Sequence, residues 1–385
     1  MSESATKTIS AITSPHQLPQ AKRLVIKVGS SSLTTVSGGI SHERLKFLVD
    51  TLAETLRNGT EVILVSSGAI AAGLAPLGLA KRPKDLATQQ AAAAVGQGLL
   101  LAQYTQLFDE YDQRVGQVLL TADDLMRRSS YTNALRSLVR LLNLGVLPIV
   151  NENDAVATRE IRFGDNDRLA SLVAHLVKAD ALLLFSDVDS VYDAHPDDGG
   201  SRITTIEHPD ELEAVDLGTP GAAGVGTGGM ITKVDAATLS SSAGIPTLVT
   251  STDNAAKALR GEDVGTWFAA RNSRRSARDV WLAYLANIEG KLILDAGAVK
   301  AIASGTNSLL AAGITAVRGE FEAGDVVEIC DAEGTPFARG LVNFGSHELP
   351  DMLGHSTTEL VEEMGAGYDR SVVHVDDLAL IEPIF

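Results

Sequence analysis

Two glycine-rich segments that each carry a lysine are the parts of the sequence best suited to chemistry. The first is Thr227–Lys233, in which a glycine turn ends in a lysine at the start of a predicted helix. The second is Lys27, which ends an apolar run and is followed by Gly29 and three serines. Glycine lets backbone N–H groups approach a phosphate, a helix N-terminus favours an anion, and lysine adds a full positive charge. The two segments therefore predict one site that binds a polyphosphate from two sides.

The glycine run at Gly224–Gly229 also fits the G-x-G-x-x-G pattern of dinucleotide-binding folds. Those folds place the pattern directly after an early strand, whereas here it follows a loop late in the domain. No G-x-x-x-x-G-K-[ST] segment occurs, so P-loop chemistry is also disfavoured. The favoured interpretation is a phosphate-binding loop that ends at Lys233, and the alternative is a merely flexible loop.

Clusters of polar residues follow three predicted strands, at Ser66–Ala69, Asn151–Asp154 and Ser186–Asp189. A fourth cluster, Gly164–Arg168, comes a short loop after Asn151–Asp154 and opens a predicted helix. Ligands of parallel sheets bind at the carboxyl ends of the strands, so we expect these clusters at one edge. Their carboxylates suit an ammonium group or Mg²⁺, and their amides and hydroxyls suit a substrate carboxylate. Helix capping and turn formation are the alternative interpretation of each cluster.

The sequence offers no obvious general base. Its eight histidines lack metal-ligand spacing, and with one cysteine a structural zinc site is disfavoured. A carboxylate substrate, with a pKa near ~4, is already nucleophilic at pH 7. An enzyme that phosphorylates such a group needs positioning and charge neutralisation rather than proton abstraction.

Composition predicts a globular α/β protein. Of the 385 residues, 45% are apolar and 4% aromatic, and the net charge of −17 argues against non-specific binding to nucleic acid or anionic membranes. The lone Cys330 fits a reducing compartment. Residues 1–20 lack the apolar core of a secretory signal, and no run approaches the ~20 apolar residues that span a bilayer. We therefore expect a cytoplasmic protein with no membrane partner.

The pattern of elements predicts two domains after a disordered tail over residues 1–20. Residues 21–265 alternate apolar strands with helices, which indicates a mainly parallel central sheet covered on both faces. Residues 266–289 are expected to form a linker. Residues 290–385 read as a small β-rich barrel with a C-terminal tail. The predicted strands of the first domain are Arg23–Val28, Glu61–Ser66, Val115–Leu120, Val146–Asn151, Ala181–Ser186 and Thr247–Thr250, and its helices are Ser41–Asn58, Leu86–Tyr111, Ser130–Leu144, Arg168–Lys178 and Ile231–Ala243.

Five segments, in this order, resemble the glutamate 5-kinases of the amino acid kinase superfamily. The resemblance covers about residues 21–265, and residues 290–363 resemble a PUA domain, an order typical of bacterial members. The five segments are Lys27–Ser30, Val65–Gly73, Asn151–Val156, Phe163–Asp167 and Thr227–Lys233. The PUA resemblance rests on Ser308–Leu310, Gly313-Ile314, Val317–Gly319, Phe321 and Gly324-Asp325.

The resemblance implies ATP-dependent phosphorylation of the γ-carboxylate of L-glutamate to L-glutamyl 5-phosphate, the first step of proline biosynthesis, with feedback inhibition by proline. It implies that Mg²⁺ bridges ATP oxygens rather than occupying a protein metal site, and that the chain forms a homodimer or homotetramer. The implied catalytic residues are Lys27, Lys233 and Asp167. The implied glutamate contacts are Ser67, Asp154 and Asn166. The implied ATP contacts are Lys27, Ser186 (threonine in many relatives), Asp187, Thr227, Gly228, Gly229, Met230, Ile231, Thr232 and Lys233.

Rival activities remain open at this point. N-acetylglutamate kinase, UMP kinase and aspartokinase share the architecture, but Asp154 offers a charge for a free ammonium, which favours glutamate over its acetylated form.

RNA binding is a different alternative, because PUA domains often bind RNA. Residues 290–385, however, carry five Lys/Arg against sixteen Asp/Glu, a net charge of −11. Binding a nucleic-acid backbone requires a basic surface, so RNA is not an expected partner.

Overall fold

The computed structural model divides the chain into two compact units, Met1–Arg274 and Arg275–Phe385. The residues that the structure describes are 12–35, 39–121, 124–125, 128–156, 166–194, 199–212, 215, 229–271, 282–283 and 288–381. Each unit has its own sheet and its own buried apolar core. Each therefore has the elements of a separate domain.

The first unit is built around one large sheet. Its strands are β1 (Arg23–Val28), β2 (Glu61–Ser66), β3 (Arg114–Leu120), β4 (Val146–Glu152), β5 (Ala181–Ser186), β6 (Thr205–Ile206), β7 (Thr247–Ser251) and β8 (Thr266–Phe268). They lie in the order β3-β4-β2-β1-β5-β7-β8-β6. All neighbours from β3 to β7 are parallel, β8 is antiparallel to β7, and β6 is parallel to β8. The predicted mainly parallel sheet is confirmed.

Two short strands of this sheet, β6 and β8, are not predicted from the sequence. Two or three residues are too few to show the alternation of apolar and polar residues that marks a strand. β8 lies within the predicted linker.

Helices connect these strands. They are α1 (Ser30–Leu33), α2 (His42–Arg57), α3 (Ala69–Leu74), α4 (Leu86–Asp109), α5 (Arg128–Asn143), α6 (Asn166–Leu176), α7 (Met230–Ser242) and α8 (Ala255–Leu259). Ser41 caps α2 and Asp85 caps α4 through side-chain oxygens. Gly59 and Gly145, just after α2 and α5, have φ of +88° and +70°, the left-handed conformation that commonly ends a helix. In the described ranges, no helix has both the length and the apolar character needed to cross a bilayer.

Strand β1 lies at the centre of this arrangement and separates two faces of the sheet. Alternate side chains of a strand point to opposite faces. Leu24, Ile26 and Val28 are buried in an apolar core with residues from α2, α4 and α8. Lys27 lies on the other face, where it contacts α6. Because β1 is hydrogen-bonded to β2 on one side and β5 on the other, the position of Lys27 is tightly constrained.

Helices α3 and α4 cross with their backbones in contact at two glycines. A Cβ on Gly96 would lie 1.8 Å from the Ala69 carbonyl oxygen and 2.4 Å from the Gly73 nitrogen. A Cβ on Gly73 would lie 1.9 Å from the Ala92 carbonyl oxygen. No side chain larger than a hydrogen fits at either position. The crossing fixes α4 against the turn that joins β2 to α3.

Residues 12–20 correct the prediction that the first twenty residues form a disordered tail. Pro15–Gln20 is a 3-10 helix, and Leu18 is only 1% exposed within the core of the first unit. His16 Nδ1 lies 2.7 Å from the Gly261 carbonyl oxygen. Ile12 is also buried in this core, at 6% exposure. Two buried apolar side chains in a largely polar segment are too few to show in the sequence pattern. The rest of the predicted tail, residues 1–11, lies outside the described residues.

The second unit contains a five-stranded sheet with the order β10-β9-β11-β12-β13. Its strands are β9 (Ile288–Leu294), β10 (Ile314–Gly319), β11 (Val326–Cys330), β12 (Pro336–Val342) and β13 (Val373–Leu380), and its helices are α9 (Ala296–Ala303) and α10 (Thr357–Met364). Neighbours are antiparallel except β9 and β11. The prediction of a C-terminal tail is wrong over β13, which pairs with β12. Two adjacent polar residues, Asp376 and Asp377, interrupt the alternation of apolar and polar residues that would reveal β13 as a strand.

We expect Gly96→Ala to destabilise the first unit, because its methyl group overlaps the backbone of α3. Overpacking of this kind costs about 1–3 kcal/mol. Urea unfolding of the purified protein measures the change, with Glu54→Ala, an exposed position on α2, as the control. Equal unfolding midpoints for the two variants would contradict the close crossing.

Candidate active site

A single carboxylate joins two lysines at the carboxyl edge of the first sheet. Asp167 Oδ1 forms an ion pair with Lys27 Nζ, and Oδ2 lies 3.3 Å from Lys233 Nζ. The Asp167 side chain is fully buried, and those of Lys27 and Lys233 are 2% and 7% exposed. The structure thus brings together the three residues that the sequence predicts to be catalytic, although they come from distant parts of the chain.

Three different elements position these side chains. Lys27 is the penultimate residue of β1, Asp167 is the second residue of α6, and Lys233 lies in the first turn of α7. A carboxylate in the first turn of a helix is stabilised by the helix dipole. Thr232 adds a further link, since its hydroxyl donates to the Gly229 carbonyl at 2.9 Å and lies 3.4 Å from Asp167 Oδ2. The start of α7 is therefore tied to α6 by two adjacent side chains.

Two ammonium groups share one carboxylate in this cluster, in a place with almost no solvent exposure. A lysine ammonium attracts phosphate as a point charge, so the cluster is suited to bind an anion. The N-cap of α7 is Gly229, which has no side chain that could stand between the helix start and a ligand. The first-turn amides and the helix dipole of α7 add to the attraction for a phosphate.

Asn166, directly before Asp167, faces a different set of groups. Its Nδ2 donates to the Ser66 carbonyl at 2.9 Å, to Ser67 Oγ at 2.9 Å and to Asn151 Oδ1 at 2.7 Å. Two predicted substrate contacts, Ser67 and Asn166, are therefore in direct contact. The third, Asp154, lies partly exposed in the turn after β4, at the same edge of the sheet. Backbone neighbours on α6 thus connect a cationic cluster to a pocket of amides and hydroxyls.

The pocket includes polar side chains that sequence reasoning missed. Asn151 Nδ2 donates to Gln97 Oε1 at 2.7 Å. Ser66 Oγ and the Tyr104 hydroxyl lie 2.9 Å apart. Burial raises the pKa of Tyr104, so it stays a neutral hydroxyl. The sequence does carry signals: Gln97 stands between two glycines in an alanine-rich helix, and Tyr104 follows seven residues later. Neither signal alone distinguishes a pocket residue from an ordinary helix residue.

The predicted nucleotide contacts lie beside the cluster. Ser186 ends β5, next to β1, and its Oγ accepts from the Val188 backbone N–H at 2.9 Å. Its hydroxyl therefore shapes the turn that presents the exposed Asp187. Of the predicted loop, Gly229 to Lys233 are described, with Met230, Ile231 and Thr232 in the first turn of α7. Thr227 and Gly228 lie outside the described residues, as do residues 163–165.

Both units match families of known proteins. A family model described as the amino acid kinase family matches residues 22–251, and one described as the PUA domain matches residues 290–364. A protein of Thermobifida fusca named glutamate 5-kinase is 56% identical over 367 residues, which are 95% of each chain. A protein of Streptomyces coelicolor with the same name is 57% identical over 365 residues, covering 94% of this chain and 98% of that one. The similarity thus extends over both units.

We expect Asp167→Asn to destabilise the protein in the absence of ligands. Removing the carboxylate leaves two buried ammonium groups without their shared counter-charge, which costs about 3–5 kcal/mol. Denaturant unfolding at pH 7 measures this change. Asp187→Asn removes an exposed carboxylate from the neighbouring turn and should leave the unfolding free energy within about 0.5 kcal/mol of the original. Similar stabilities for the two variants would show that the ion pairs contribute little.

Proposed function

This chain belongs to the amino acid kinase family, and we propose that it transfers the γ-phosphoryl group of ATP to the γ-carboxylate of L-glutamate. The product is L-glutamyl 5-phosphate, and we assign the reaction to the first step of proline biosynthesis. The observation that carries the proposal is a buried cluster of two lysines around one carboxylate, Lys27–Asp167–Lys233, directly beside the pocket of Ser67 and Asn166. The names of the full-length relatives support the same substrate.

The residues present are suited to transfer without proton abstraction. A carboxylate oxygen of glutamate attacks the γ-phosphorus while the bond to the β,γ-bridging oxygen breaks, and ADP leaves. The transferring group carries charge on its equatorial oxygens. Lys27 and Lys233 approach from a strand and a helix start and stabilise this charge. Asp167 holds both ammonium groups in place, so their reorganisation during the reaction is small.

The amino-acid half of the site favours a free amino group. The two N–H bonds of the Asn166 amide are directed at three protein acceptors, which leaves Oδ1 as an acceptor for a ligand. An ammonium supplies the donors that this oxygen requires, and the carboxylate of Asp154 adds opposite charge. An acetylated amino group offers one N–H and no charge. These features support glutamate over N-acetylglutamate.

Mg²⁺ fits this site as an ion carried by the nucleotide. Among the described residues, no group of three or more His, Cys, Asp or Glu is placed to bind a metal ion. Asp167, the carboxylate of the lysine cluster, is already held by two lysines. Mg²⁺ accepts few protein ligands when substrate phosphates supply oxygens. Asp187, exposed at the end of β5, is the carboxylate best placed to contact such a complex or its waters.

Trapping the product with hydroxylamine tests the proposal directly, because hydroxylamine converts an acyl phosphate to a hydroxamate. We expect ATP-dependent hydroxamate from L-glutamate, little from N-acetylglutamate, and a decrease when L-proline is added. We include proline as a feedback inhibitor, since it presents the same ammonium and carboxylate groups. Hydroxamate from N-acetylglutamate alone would overturn the proposed substrate.

We expect Lys233→Ala to lower kcat by roughly 10²–10³, since one electrostatic contact to the transition state is worth ~3–4 kcal/mol. Glutamate-dependent ADP release measures turnover, and circular dichroism checks the fold. Lys257→Ala, an exposed lysine on α8, is the control with normal turnover. Near-normal kcat in Lys233→Ala would remove this lysine from the mechanism.

We further propose that the protein is a homo-oligomer that uses the outer face of α4. The middle of this face is exposed and apolar over three turns: Ala91, Ala94, Val95, Gly98, Leu99 and Ala102. Val95 and Leu99 are 38% and 41% exposed. Contiguous apolar patches on a helix typically mark protein contacts, and small residues allow a second copy of α4 to approach closely. A two-fold contact would bury the patch of both copies at once.

We expect Val95→Glu to shift this oligomer toward smaller species. A two-fold contact brings two introduced carboxylates together, and like charges at an interface cost several kcal/mol. Sedimentation velocity measures the distribution. Val361→Glu, a matched change at a valine 37% exposed on α10, should leave it unaltered. Identical distributions for both variants would exclude the α4 face.

A further inference from the structure

We propose that Gln97 is a positioning residue for substrate binding: it orients the Asn166 amide, through Asn151, toward the ammonium group of the amino-acid substrate. The inference rests on the proposed function, because it concerns the same site. Gln97 lies on α4 and belongs to none of the segments from which the site was predicted.

The first link in this relay is the Asn166 amide. Its Nδ2 has three acceptors within 2.9 Å, namely the Ser66 carbonyl, Ser67 Oγ and Asn151 Oδ1. The reversed amide would direct Oδ1 at the lone pairs of Ser66 and Asn151. The hydrogen-bond network therefore fixes which end of this side chain faces inward. Its acceptor oxygen is left for a donor from outside the network.

The second link is Asn151, whose Oδ1 accepts the shortest of those three hydrogen bonds, at 2.7 Å. Asn151 Oδ1 also accepts from the backbone N–H of Glu152 at 2.9 Å. Its own Nδ2 donates to Gln97 Oε1 at 2.7 Å. Asn151 is thus held at both ends, and each amide in the relay has a defined direction.

Gln97 is the outer anchor of this relay. It is partly exposed, in contrast to the buried Asn151. Its helix is fixed beside the pocket by the glycine crossing with α3, so Oε1 is presented from a rigid element. Without this oxygen, Asn151 Nδ2 loses its acceptor and its side chain gains freedom to turn away from Asn166. The Asn166 amide then loses one of the groups that hold its oxygen toward the substrate.

The consequence is specific to one substrate. The relay ends at the amino-acid pocket, whereas the groups proposed to bind ATP lie on β1, β5 and α7. Losing one hydrogen bond in a positioning network is expected to weaken glutamate binding roughly tenfold. Binding of ATP should be almost unchanged.

Steady-state kinetics on the full-length enzyme, with hydroxamate formation as the readout, test the inference. We expect Gln97→Met to raise the KM for glutamate roughly tenfold and to keep the KM for ATP within about twofold. Gln97→Glu keeps an acceptor oxygen for Asn151 and should restore the KM for glutamate to within about threefold of the original. Gln97→Ala, which removes the acceptor without adding bulk, is the second variant should Gln97→Met not fold.

A double-mutant cycle with Asn151→Ala gives an independent measurement. If the effect of Gln97 passes through Asn151, Gln97→Met should change the KM for glutamate by less than about twofold in that background. An unchanged KM for glutamate in Gln97→Met and Gln97→Ala would overturn the inference. Additive effects of the two substitutions on the KM for glutamate would also overturn it. So would equal rises in the KM for glutamate and the KM for ATP that Gln97→Glu does not reverse. No turnover of glutamate by the unsubstituted enzyme would overturn the proposed function itself.

Discussion

The ion pairs of Asp167 with Lys27 and Lys233 are the interaction on which the rest of the site depends. The three charged side chains come from β1, α6 and α7. They are so little exposed that water cannot replace the contacts between them. Removing charges from water is costly unless they pair closely. Each element must therefore hold its side chain within contact distance of the opposite charge. The central position of β1, paired on both sides, meets this requirement for Lys27. Because two lysine side chains meet at one carboxylate, the cluster is suited to bind an anion and not only to stabilise the fold.

The second constraint is the adjacency of Asn166 and Asp167 at the start of α6. One residue points toward the ends of β2 and β4 and the next toward the lysines, because successive residues of a helix lie about 100° apart. The separation between the amide pocket and the cationic cluster is therefore set by covalent geometry and not by the packing of two independent elements. For a transfer between two bound substrates, such fixed spacing is valuable, since misplacement by about 1 Å is costly in rate. The beginning of α6 thus sets the spacing between the two halves of the site.

Much of this arrangement could be predicted from the sequence, and the exceptions have physical causes. β1, β2 and β5 are predicted with their observed bounds because parallel strands buried on both faces read as continuous apolar runs. The polar clusters at their carboxyl ends follow from the same pattern. β13 is missed because its structure depends on long-range pairing with β12, and residues 12–20 are missed because only two apolar side chains, Ile12 and Leu18, anchor them in the core. Gln97 and Tyr104 are missed for a related reason: they act through hydrogen bonds to Asn151 and Ser66, which only the packing of α4 on the sheet creates.

Helix α4 connects the interior of the site with the surface of the protein. Its inner side carries Gln97 and Tyr104, two turns apart, which reach the ends of β4 and β2. Its outer side is apolar, and its crossing with α3 tolerates nothing larger than glycine at Gly96. A displacement of one end of α4 is transmitted along the helix, because closely packed backbones are nearly incompressible. If a second copy of the chain covers the outer side, its contact fixes the same rigid body that holds the amide pocket. Assembly and the affinity for the amino-acid substrate would then depend on one helix, and the affinity for the nucleotide would not.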